Sequence, residues 1–354
     1  MSAAQKTVNY FYLFEAGIFG RVLLCCMLFC VFNSPGFATE DPPLIFEKIS
    51  NKEGLNQNSV FSIIQDKTGF IWIGTSNGLI KNDGTVFKSY VPHPGDSTTL
   101  LNNVVTSIFE DDQEILWVGT QNGLCLYKPD RDAFVWVDEF NKLLSKRSVV
   151  FHNIIQTKNR DYWLATSEGL FIIQQKTEAT MRFGVKKVTQ TQTGQQIFAE
   201  SAKFKDILEL ADGTILTATN QGLFHLRKQK NGGIELLKKF KYPNEKKLRF
   251  TEIFADRNGL IWVGTQNGLR FLQVTDSGGK YNYDSTVPPR FASEEIRLKG
   301  ANITSFLDNT KEHLFIGTFK KGLYRLHKST GKIENYRPQP ENCLLYTSPS
   351  PRDS

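Results

Sequence analysis

The chain is 354 residues long, 40% hydrophobic and 22% charged, with a net charge of +7 and five cysteines. That apolar content excludes a disordered chain, and so few cysteines exclude a disulfide framework. The basic clusters at Arg227–Lys230 and Lys238–Lys247 fall between motifs, so they read as a solvated rim rather than a nucleic-acid site.

Residues 1–38 read as a signal peptide. Arg21 precedes an unbroken apolar run of 11 residues, Val22–Phe32, and Gly36 and Ala38 stand at −3 and −1 of a cleavage site. The run is short for a membrane span, with an uncleaved anchor as the alternative. The mature chain is then expected to start at Thr39 and to lie in the periplasm or outside the cell.

Residues 39–338 carry six copies of one pattern. They read DKTGFIWIGTSNGL (Asp66–Leu79), DDQEILWVGTQNGL (Asp111–Leu124), TKNRDYWLATSEGL (Thr157–Leu170), LADGTILTATNQGL (Leu210–Leu223), DRNGLIWVGTQNGL (Asp256–Leu269) and NTKEHLFIGTFKKGL (Asn309–Leu323). Their shared glycines, Gly78, Gly123, Gly169, Gly222, Gly268 and Gly322, are 45, 46, 53, 46 and 54 residues apart. Short strands at a period in the forties predict an all-β fold, a β-propeller with one four-stranded blade per copy.

Each copy follows a polar residue and two apolar ones, as in Ser62-Ile63-Ile64 or Asp206-Ile207-Leu208, a run that reads as a buried strand. A turn follows, with Asp66, Asp111 or Asp256 to bond its backbone and Gly69, Gly213 or Gly259 to take positive φ. The second strand carries Trp72, Trp117, Trp163, Leu216, Trp262 or Phe315 as shared core. The Gly or Ala before its Thr is expected to let strands approach closely. Six blades are visible, and the propeller is read as a seven-bladed one cut short.

Long insertions separate copies three from four and five from six. They bring Arg182 and Phe183, then Tyr281, Tyr283, Arg290 and Phe291, aromatic and basic residues able to stack on a ligand in the loops of one face. Trp136 lies outside the shared register. Candidate ligand-binding residues are therefore Trp136, Tyr281, Tyr283 and Arg290, with rim packing as the plainer reading. The five histidines, His93, His152, His225, His313 and His327, have no metal spacing. No motif for a nucleophile elbow, a phosphate loop or a metalloprotease helix occurs, so no catalytic residue, metal or cofactor is assigned. Residues 339–354, with CLLYTSPSPRDS, break the pattern. They read as adaptor read-through, with a natural disordered tail as the alternative.

Ile71–Leu79, with its Trp-Ile-Gly-Thr and Asn-Gly-Leu elements after Asp66 and Gly69, resembles the two-component regulator propeller repeat. The resemblance covers about Pro43–Pro338. It implies the amino-terminal, periplasmic sensor region of a membrane receptor with a histidine kinase or diguanylate cyclase output that this chain does not include. It further implies a small-molecule or oligosaccharide ligand, a homodimeric receptor, and no enzyme activity in the chain itself. The competing readings are a stand-alone exported binding or scaffold propeller, then a propeller enzyme.

Overall fold

The computed structural model describes residues 44–337 apart from 47–48, 51, 53, 145–147, 177–181, 241–247, 293–297 and 309–311. The expected signal peptide and tail lie outside the described residues. Among those described, 24 strands form six antiparallel four-stranded sheets, each built from four consecutive strands. These are the blades of an all-β propeller, one per sequence copy. The first strands of successive blades, Val60–Gln65, Val105–Glu110, Phe151–Gln156, Phe204–Glu209, Phe250–Ala255 and Asn302–Leu307, lie beside one another and line the axis.

The repeated residues close each blade through local hydrogen bonds. In blade one Oδ1 of Asp66 accepts the N–H groups of Thr68 and Phe70, and its Oδ2 accepts the indole N–H of Trp72 at 2.7 Å. The same triple contact recurs around Asp111 with Trp117 and around Asp256 with Trp262. A carboxylate that caps a turn while holding a buried indole donor explains why Asp and Trp recur six residues apart. Gly69, Gly213 and Gly259 take positive φ, and in blades two and three Glu114 and Arg160 occupy the same left-handed place.

The Thr at the end of each second strand, or one place before it in blade six, donates its hydroxyl to the carbonyl of the repeated glycine, from Thr75 to Gly78 at 3.0 Å through Thr318 to Gly322 at 2.6 Å. In blade one the Thr75 hydroxyl also accepts the N–H of Asn77, which closes the tight turn between the second and third strands.

The small residue before that Thr is filled by the next blade. A Cβ built on Gly119 would lie 2.6 Å from Cγ of Phe151, and one on Gly74 would lie 2.9 Å from Cγ1 of Val105. The apolar core is accordingly a series of seams between blades. Trp72 packs with Val105 and Ile108, Trp117 with Phe151 and Ile154, and Trp262 with Ile303 and Leu314. Leu216 takes the Trp place in the seam between blades four and five, against Phe250 and Ile253.

The first insertion adds Ile197, Phe198 and Ala202 to the seam of blades three and four. The second lengthens blade five, whose third strand runs Gly268–Ser277 and turns into Lys280–Asp284.

Candidate functional site

The four sequence candidates fall in three places. Trp136 ends the outer strand of blade two; its indole N–H donates to the Thr99 carbonyl at 2.8 Å, and the half-buried ring packs against the seam of blades one and two. Arg290 is exposed on a short 3₁₀ turn, Pro289–Phe291, with its guanidinium 4.8 Å from the Phe291 ring. Tyr281 and Tyr283 stand together on the outer strand of blade five, with ring centroids 6.2 Å apart.

The tyrosines belong to a polar network that crosses from blade five to blade four. The Tyr281 hydroxyl donates to Oδ2 of Asp212 at 2.6 Å and accepts Nη2 of Arg227 at 3.1 Å. Oδ1 of Asp212 accepts the Thr214 hydroxyl at 2.6 Å, and that hydroxyl lies 2.7 Å from Nε2 of His225. Nδ1 of His225 in turn lies 2.9 Å from the Tyr283 hydroxyl. Burial drives the His225 imidazole down to about 4 despite the nearby Asp212, so it is neutral at pH 7. Burial raises the Tyr281 phenol and its hydrogen bond to Asp212 raises it further; Asp212 itself is held low by Thr214 and Tyr281 against its own burial.

Beside this network a cleft of about 340 Å³ opens between the turns of blades four and five. Asp212, Tyr281, Asp256 and Arg257 supply its polar wall, and Ile261 and Val274 its apolar floor. An aromatic ring edged by carboxylates and a guanidinium, over an apolar base, suits a small polar ligand with an apolar face. A larger hollow of about 650 Å³ lies on the outer edge of blades three and four, but its wall of Lys186, Lys187 and Asn231–Gly233 brings no aromatic or carboxylate side chain.

Asp212, Arg227 and His225 carry the network, and sequence spacing does not single them out. One signal is present. In copy four the turn reads Leu210-Ala211-Asp212-Gly213, so the acid has moved two places from its usual position, and the Trp it would hold is Leu216. Freed from the indole, this carboxylate faces the neighbouring blade instead.

The axis holds a second polar group. Asp206, 2% exposed on the first strand of blade four, accepts the N–H of Ile207 and, across the seam, the N–H of Ile253, each at 2.7 Å; the amide of Asn153 also bonds it. Burial lifts its carboxyl to about 6 despite those bonds, while burial and the charge of Asp206 raise Glu252 well above the usual range. Nearby, Nζ of Lys205 lies 3.1 Å from Nε2 of His152. In copies three and four the opening polar residue, Asn153 or Asp206, therefore ties first strands together, as Ser62 does in copy one by accepting the N–H of Ile108 at 3.2 Å. Among the described residues no three His, Cys, Asp or Glu side chains gather as a metal ion requires.

The family profile described as two component regulator propeller matches residues 54–77 and 99–122, the turns and strands around the first two motifs. The chain carries two-component regulator propeller repeats. Histidine kinase P4 of Formosa agariphila is 36% identical over 84 residues, which cover 24% of this chain and 6% of that protein. The extracellular domain of a hybrid two-component system from B. thetaiotaomicron superposes with a TM-score of 0.64 at 24% identity, over 87% of this chain and 38% of the other. Virginiamycin B lyase from Staphylococcus aureus superposes with a TM-score of 0.55 at 15% identity, over 80% and 86% of the two chains. At such identities the structural likenesses show the propeller fold alone, and the matches span only 6% of the histidine kinase and 38% of the two-component domain.

Proposed function

We propose that this propeller is the ligand-sensing region of a membrane-bound bacterial signal-transduction receptor, exported to the outer side of the cytoplasmic membrane and free of catalytic activity itself. The observation that carries this reading is the repeat: its first two copies match the regulator propeller profile, and a histidine kinase aligns with the chain at 36% identity. The superposition on an extracellular domain of a hybrid two-component system supports it. No helix among the described residues is long and apolar enough to cross a membrane, so the reading places the spanning segment elsewhere.

The cleft between blades four and five is the proposed ligand site, taking a small polar molecule or oligosaccharide. Tyr281 offers a ring face, while Asp212 and Arg257 offer an acceptor and a donor. Signalling requires that the ligand bind one arrangement of a receptor dimer better than another. An occupant of this cleft would contact both blades that wall it.

Two experiments test the reading. Residues 1–60 fused to alkaline phosphatase should give enzyme active only outside the cytoplasm; an inactive fusion defeats the export step. Calorimetric titration of the exported chain with neutral and acidic oligosaccharides should show saturable heat that Tyr281→Ala abolishes. Heat unaffected by Tyr281→Ala would move the site away from this cleft.

A further inference from the structure

The turns between first and second strands are tied from blade to blade by a repeated clasp. The N–H of the turn's second residue donates to the side chain that ends the next blade's first strand: Lys67 to Glu110 at 2.9 Å, Asp112 to Gln156 at 2.8 Å and Lys158 to Glu209 at 3.0 Å. The side chain of that second residue reaches across as well. Nζ of Lys67 donates to the carbonyls of Asp111 and Asp112 at 3.0 Å each, and Nζ of Lys158 donates to the carbonyl of Ala211 at 2.8 Å. Asp112 instead accepts the Gln156 amide at 2.9 Å and pairs with Arg160 at 3.2 Å. The first three junctions are thus filled by their own side chains.

The fourth junction keeps the backbone of the clasp and loses both side chains. Ala211 stands where Lys67 and Lys158 stand, and Ala255 where Glu110, Gln156 and Glu209 stand. The fifth junction, with Arg257 and Leu307 at these places, keeps a long side chain at each. Among the described residues the N–H of Ala211 and the carbonyl of Arg257 have no hydrogen-bond partner, although the same groups are bonded in the filled junctions. Both alanines line the cleft of about 340 Å³ between blades four and five. That cleft is therefore the imprint of one ammonium and one carboxylate, each with its backbone partner still in place. In the filled junctions the ammonium goes to carbonyls and the carboxylate to an N–H, so the two charges stand apart instead of pairing with each other.

We propose that the cleft binds a short peptide by its two ends. The peptide's amino terminus donates to the Arg257 carbonyl, as the lysine ammonium does elsewhere, and its carboxylate accepts the Ala211 N–H, as the glutamate does elsewhere. Tyr281 with the floor of Ile261 and Val274 receives an apolar side chain. This rests on the reading of the cleft as the ligand site and narrows its ligand to zwitterions with separated charges. An α-amino acid carries both charges on one carbon, closer than the filled junctions hold theirs, and a neutral oligosaccharide replaces neither. The size agrees: at ~30 Å³ for a water-sized group, a cleft of about 340 Å³ holds about eleven, which suits a small dipeptide.

The test is calorimetric titration of the exported chain with the full set of Ala-X dipeptides. At least one should bind saturably. Its N-acetyl and carboxamide derivatives should each bind at least about tenfold more weakly, since each removes one charge-assisted bond. Ala211→Lys restores the ammonium of the other junctions and Ala255→Glu their carboxylate. Each should weaken the same dipeptide at least about tenfold while the melting temperature holds or rises, so that lost binding is not lost folding. If a refilled variant melts early, the blocked dipeptides decide alone. Equal binding of both blocked derivatives overturns the proposal, and so does silence from every dipeptide. Maltotriose separates that failure from failure of the site. Saturable maltotriose heat that Tyr281→Ala abolishes keeps the cleft and rejects only the peptide. Dipeptide heat that survives Tyr281→Ala, Ala211→Lys and Ala255→Glu overturns both, because the peptide then binds elsewhere.

Discussion

Asp111 and Tyr162 join two blades through one oxygen. Oδ2 of Asp111 accepts the Tyr162 hydroxyl at 2.8 Å while it holds the indole N–H of Trp117 at 2.9 Å, and the carboxylate is 2% exposed. The turn of blade two is thereby locked to the second strand of blade three. Blade one lacks this arrangement, because the place of Tyr162 is taken in blade two by Leu116.

Asp111→Ala is therefore expected to cost about 2–4 kcal/mol, since it orphans two buried donors and two turn N–H groups at once. Asp66→Ala should cost less, because Asp66 serves only its own blade. Chemical denaturation of both variants checks the order. A double-mutant cycle of Asp111→Ala with Tyr162→Phe should show coupling of roughly 0.5–1.5 kcal/mol, and strict additivity would refute a shared oxygen.

Gly119 is small because blade three is close. With a Cβ only 2.6 Å from Cγ of Phe151, Gly119→Ala should destabilise by about 1–3 kcal/mol through overpacking. Replacing Phe151 by Leu in the same chain should return part of that loss. If Gly119→Ala melts like the parent, the blades are not held at this spacing.

The contrast between these residues and the cleft shows what a single sequence can disclose. The turn Asp, the Trp, the Thr and the shared Gly act within a span of about a dozen residues and repeat in every well-kept copy, so spacing alone exposes the blade. Asp206 bonds Ile253 across 47 positions and His225 meets Tyr283 across 58, each once, so nothing recurs to mark them. Trp136 stands out by lying off register, yet its indole bonds Thr99 in a connection 37 positions away. Tyr281 and Tyr283 read as loop aromatics, but the third strand of blade five extends far enough to place them in a ladder.

The axis should make stability depend on pH in two opposing ways. Asp206 keeps a proton in the fold up to about pH 6 that the unfolded chain releases near 3.8, so its contribution is full at low pH and lost as pH rises through 6. His152, pushed down to about 4 by burial and then by Lys205 and Lys203, behaves in the opposite sense, with stability lost as pH falls from 6.5 toward 4. Glu252, raised by burial and by Asp206, shares the sign of Asp206. Melting curves from pH 4 to 8 should accordingly show Glu252→Gln gaining on the parent as pH rises, by on the order of 1–3 kcal/mol at pH 8. His152→Gln should lose less than the parent on the acid side. Parallel curves for Glu252→Gln and the parent would mean that Glu252 is ionised in the fold.

The cleft makes the sharpest prediction, because its network separates binding from folding. Tyr281→Phe keeps the ring over the cleft but removes the hydroxyl between Asp212 and Arg227. These groups are exposed or half-buried, so water can replace the lost bonds and the melting temperature should move little. A ligand that uses the ring should still bind, whereas one that uses the aligned Asp212 should bind about tenfold more weakly, the worth of one well-placed hydrogen bond. Asp212→Asn should reproduce the loss for a ligand offering hydroxyl donors and spare one that only stacks. If both variants bind every oligosaccharide that the parent binds with equal strength, the recognition surface lies elsewhere on the propeller.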